Sequence, residues 1–137
     1  MRICRILNGF DKPEDTWAEK FYTSNIAFVG FGLPECETDI WWLLTHRAYL
    51  YYTNYHGIRD KLQNRITFYD ILDVTKKENS EEEARRVESI KKQERKHFLL
   101  RNMHVEVKTK SLSSGELYEN KYREIFEEIS GGFWNAG

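Results

Sequence analysis

A chain of 137 residues, 15% of them aromatic and 31% charged, has the size of one domain and enough large rings to build a core without disulfide or metal staples. With 21 basic against 22 acidic side chains the net charge is -1, which removes any global electrostatic attraction to nucleic acid and leaves only a local basic patch to serve. Nowhere do about 18 apolar residues run together, so no membrane-spanning helix is expected.

The N-terminal run from Met1 to Leu7 has neither the long apolar stretch nor the cleavage site of a signal peptide. Cys4 and Cys36 lack metal-ligand spacing and are too few for a disulfide framework. Together they predict a cytoplasmic protein with free thiols. A first short helix is expected from Pro13, with Trp17, Ala18, Phe21 and Tyr22 on one face and Asn25 as its end. Ile26 to Gly32 then reads as a strand, closed by Pro34.

The run Ile40-Trp41-Trp42-Leu43-Leu44 has strand composition, and Ala48 to Tyr52 resumes it after the polar break Thr45-His46-Arg47. A hairpin or one long strand is therefore expected. Asn54 to Gly57 supplies turn chemistry, and a third strand is expected at 65–75. Residues 80–96 carry five acidic and six basic side chains. Ser80 with Glu83 matches a capping box, and the acids precede the bases as a helix dipole favours, so a helix is expected there. Its apolar stripe of Ala84, Val87 and Ile90 is narrow, which predicts a helix largely facing water.

Phe98-Leu99-Leu100, a turn at Arg101-Asn102, and the alternation of Met103, Val105 and Val107 read as a second hairpin. A closing helix is expected over 116–129, with Tyr118, Tyr122, Ile125, Phe126 and Ile129 on one face and Gly131 as its cap. Phe133 and Trp134 in the tail are expected to pack back on the domain.

Trp41 to Tyr52, followed by Gly57-Ile58 and then Ile66-Thr67-Phe68-Tyr69-Asp70-Ile71-Leu72-Asp73-Val74, resembles bacterial pleckstrin-homology-like domains over roughly residues 38–130. The resemblance implies an α+β fold: a bent antiparallel sheet, or PH-like barrel, capped by the C-terminal amphipathic helix. The first helix would precede this core, and the charged helix at about 79–97 would be an insertion. Such scaffolds bind peptides, partner proteins or acidic headgroups, so the resemblance implies a non-enzymatic binding or adaptor module without a cofactor.

The candidate binding residues follow from that arrangement. On a sheet, Trp41, Trp42, Tyr49, Tyr51, Tyr52 and Tyr55 are more rings than one face can bury, so the outward ones, Trp41, Tyr49 and Tyr51 among the candidates, need cover from a helix, from Phe133 and Trp134, or from a protein partner or second copy (a homodimer). Arg59, Lys61 and Arg65 cluster in the loop before the third strand and could meet an acidic ligand. His46, His56, His97 and His104 show no pair at metal-binding spacing. The competing reading is a metal-dependent nuclease. Asp70 with Glu106-Val107-Lys108 resembles the Asp…Glu-x-Lys core of restriction-endonuclease-like enzymes, in which two carboxylates hold a divalent cation and the lysine stabilises charge at the phosphate. In that case nucleic acid would be the substrate.

Overall fold

The computed structural model describes residues 17–133. In chain order they form α1 (Trp17–Thr23), β1 (Ile26–Val29), α2 (Thr38–Thr53), a 3-10 segment (Tyr55–Lys61), β2 (Ile66–Asp73), α3 (Ser80–Asn102), β3 (Glu106–Leu112), α4 (Tyr118–Glu128) and a wide π-type turn (Ile129–Phe133). They divide into two compact units, residues 17–26 with 33–66 and residues 27–32 with 67–133. The readings placed on Met1 to Thr16, and on the side chains of Phe133 and Trp134, lie outside the described residues.

In the first unit, the hairpin expected over 40–52 is replaced by the single helix α2. Trp, Tyr, Ile and Leu are strand formers by composition, yet here their burial repeats at helical spacing. Leu43, Leu44, Arg47, Ala48 and Leu50 are buried and fall on one side at intervals of three and four. Thr45 and Thr53 satisfy their hydroxyls within the helix, donating to the carbonyls of Trp41 (2.8 Å) and Tyr49 (2.7 Å). Asn54 ends α2 in the left-handed conformation at φ 48°, its N–H directed to the Leu50 and Tyr51 carbonyls.

α1 packs on α2, and the 3-10 segment returns along α2 after a kink at His56 (φ 49°) and Gly57 (φ 72°). Asn64 ties these pieces together. Its Nδ2 donates to the carbonyls of Phe21 (2.9 Å) and Ser24 (2.8 Å), while its own carbonyl accepts from Arg47 Nη2 at 2.5 Å.

The second unit holds a three-stranded open sheet of order β1-β2-β3 with all strands parallel. This overturns the antiparallel PH-like barrel. β2 pairs with β3 in a register that sets Tyr69 beside Lys108 and Asp70 beside Thr109. Parallel neighbours need a long crossover, and α3 supplies it between β2 and β3. The alternation expected of a one-sided sheet is also missing from β2. Ile66 to Tyr69 are buried without a break, as in a central parallel strand covered on both faces.

Tyr69 and Ile71 pack with Leu112 of β3 and Ile125 of α4, with Ala27, Val29, Tyr122 and Ile129 around them. Ile125 is fully buried, so Ile125→Ala would cost about 2–5 kcal/mol.

The second hairpin expected at 98–107 is also corrected. Phe98 to Asn102 close α3, and no proline or glycine interrupts the chain between Ser80 and Asn102. The reversal comes later, at His104 with φ 60°. The charged helix is present but longer than expected, and Asn79, not Ser80, caps it by accepting from the N–H groups of Glu81 (2.8 Å) and Glu82 (3.3 Å). Among the described residues, no helix is long and apolar enough to cross a membrane.

Candidate functional site

α2 buries one side and leaves the other to solvent. Trp42, Thr45, Tyr49 and Tyr52 share that exposed side at intervals of three and four, and the three rings are 51%, 55% and 53% exposed. From Ile40 to Asn54 the one charged side chain is Arg47, and it is buried. Trp42 is held flat against His46, with ring centroids 5.0 Å apart and planes 7° from parallel. His46 Nδ1 lies 2.8 Å from the Tyr22 hydroxyl, and burial pushes the His46 pKa down, so the ring beneath Trp42 is neutral at pH 7. Beyond the exposed Asp39 of its first turn, this helix side carries large rings and no charge, the composition of an interface core.

The sequence-predicted binding residues divide differently. Tyr49 lies on this exposed side. Trp41 is half-buried, and its indole N–H donates to the Pro34 carbonyl at 3.1 Å. Tyr51 is half-buried, with the Arg59 guanidinium 5.2 Å from its ring centroid. Arg59 Nε donates to the Tyr51 carbonyl (2.8 Å) and Nη2 to that of Tyr52 (3.2 Å). Its charge therefore serves the electronegative C-terminal end of α2. Lys61 and Arg65 are exposed. Trp42 and Tyr52 were not singled out as contact residues, since only a 3.6-residue period places them beside Tyr49.

Asp70, Glu106 and Lys108 do not converge either. The Asp70 carboxylate faces α3, with Oδ2 2.7 Å from His97 Nε2 and 3.2 Å from Gln93 Nε2. Glu106 and Lys108 stand in register with Thr67 and Tyr69, on the alternate face of the sheet. Lys108 Nζ lies 5.9 Å from the Tyr69 ring centroid and 4.0 Å from Glu128 Oε2 of α4. The two carboxylates of the nuclease reading thus stand on opposite faces of the sheet.

A groove of about 570 Å³ opens beyond Ile71 and Asp73, at the C-terminal end of β2. One wall is a face of α3 that includes Arg85, Arg86, Ser89 and Gln93, and Lys77 and Tyr118 also line it. Lys77 Nζ lies 3.7 Å from Asp73 Oδ2. Arg86 is paired with Glu83, whose carboxyl is held down at about 2 by that guanidinium and by the Lys77 N–H. Burial, then the charge of Asp73, raises the Tyr118 pKa, which keeps its hydroxyl a proton donor. Neither the family models nor the curated proteins nor the solved structures give a match to this chain.

Proposed function

We propose that the protein is a non-enzymatic binding module that engages a protein partner through the exposed ring side of α2. The observation that carries this reading is the conjunction on one helix side of Trp42, Tyr49 and Tyr52, each about half exposed, with no charged side chain among them. Tyr and Trp lose little rotamer freedom for the area they bury, and charge is depleted where interfaces are driest. The neutral His46 beneath Trp42 supports the same reading, because it pre-orients the indole without adding a charge that binding would have to desolvate. A reducing, cytoplasmic setting belongs to this proposal, supported by the exposed free thiol of Cys36.

The test is the apparent mass of the protein in extracts of the cells that make it. A wild-type protein travelling well above its own 16.5 kDa, and Tyr49→Glu returning to that mass, is the expected result. Wild type at the mass of a single chain, or identical profiles for both, would overturn the proposal. A second copy of the chain and a different protein are distinguished by the mass itself.

A further inference from the structure

We propose that the groove at the C-terminal end of β2 binds a small organic oxyanion, a phosphate or carboxylate on an apolar body, with Arg85 as the principal anion contact. The position is the first ground. The groove lies at the end of β2, where Ile71 and Asp73 meet a face of α3, so side chains from a strand end and from a helix converge on one concavity. A volume of about 570 Å³ suits a small organic molecule rather than a lone ion.

The charge arrangement is the second ground. Three cations line the groove, and two of them are neutralised by carboxylates, Lys77 by Asp73 and Arg86 by Glu83. The Arg85 side chain makes no ion pair or hydrogen bond among the described residues, although Glu82, which also lines the groove, lies three residues before it on the same helix. Its guanidinium is thus the one cation in the groove whose paired donors remain available to two oxygens of a ligand. Glu82 sits in the first turn of α3, where the helix dipole favours a negative charge.

The remaining lining fits an organic body. Ile71 and Ile90 provide apolar surface, and the Tyr118 ring is 47% exposed. The Ser89 hydroxyl and the protonated Tyr118 hydroxyl add neutral donors. Gln93 is already committed to Asp70 and the Ile71 carbonyl, so it shapes the wall and leaves recognition to the others.

Titration of the full chain with phenyl phosphate, benzoate and inorganic phosphate, followed by amide chemical shifts at low salt, tests the assignment. One or both organic probes should bind more tightly than inorganic phosphate, with the largest shifts around Arg85, Ser89 and Tyr118. Arg85→Gln, at an exposed position that the fold does not depend on, should weaken that binding about tenfold. Absence of binding by both organic probes, equal affinity for inorganic phosphate, or an Arg85→Gln variant that binds as well as wild type would each overturn the proposal.

Discussion

His97 Nε2 and Asp70 Oδ2 lie 2.7 Å apart, joining the buried side of α3 to the central strand β2. His97 is 2% exposed, and the same carboxylate oxygen accepts from Gln93 one turn earlier on the helix. The Asp70 carboxylate therefore serves as the polar anchor of a helix that has few apolar residues to hold it. Asp70→Ala would leave the His97 ring nitrogen and the Gln93 amide without their shared acceptor, at a cost of about 1–3 kcal/mol. Urea unfolding of the variant and wild type measures this, and an unchanged midpoint would show that α3 is held by other contacts.

Asn64 is the corresponding tie in the first unit, because one side chain meets α1 and the buried Arg47 of α2. Arg47 Nη2 reaches both the Asn64 carbonyl (2.5 Å) and its Oδ1 (3.3 Å). Asn64→Ala is expected to destabilise this unit by about 3 kcal/mol, since it removes an acceptor from a buried guanidinium and the donors to two carbonyls. Thermal unfolding followed by near-ultraviolet dichroism of the rings would register the loss.

How much of this was legible in the sequence depended on which signal each segment carried. β2, α4 and the charged part of α3 were readable because their patterns had one interpretation. The Ile66 to Val74 run contains no helical signal, and the charged run after Ser80 contains no strand signal. α2 was misread because Trp41, Trp42, Tyr49, Tyr51 and Tyr52 favour strands by type, while their spacing with Leu43, Arg47 and Leu50 is helical. That misreading removed the helix between β1 and β2, and the resemblance that rested on the same residues supplied the antiparallel sheet. The groove was not legible at all. Lys77, Arg85 and Tyr118 come from three separate segments, and a charged helix face reads as solvated until the fold brings a strand end beside it.

Stability of the first unit should fall in acid because of His46. Burial lowers its pKa in the folded chain, whereas the unfolded chain takes up the proton near the ordinary value of about 6.5. Between those two values the unfolded state binds more protons, so stability falls as pH drops below about 6.5 and levels off below the folded pKa. His46→Gln should flatten this dependence. Proton titration of the His46 ring by NMR checks the sign directly, and a midpoint above the free-histidine value would reverse it.

The central claim is that the ring side of α2 is a contact surface, and site-specific photo-crosslinking in cells that make the protein tests it most directly. A crosslinker replacing Tyr49 is compared with one replacing Glu94, an exposed residue of α3. The account predicts discrete crosslinked products from position 49 that disappear when Trp42→Glu is added, and none of the same products from position 94. No product from position 49, or the same products from both positions, would contradict it.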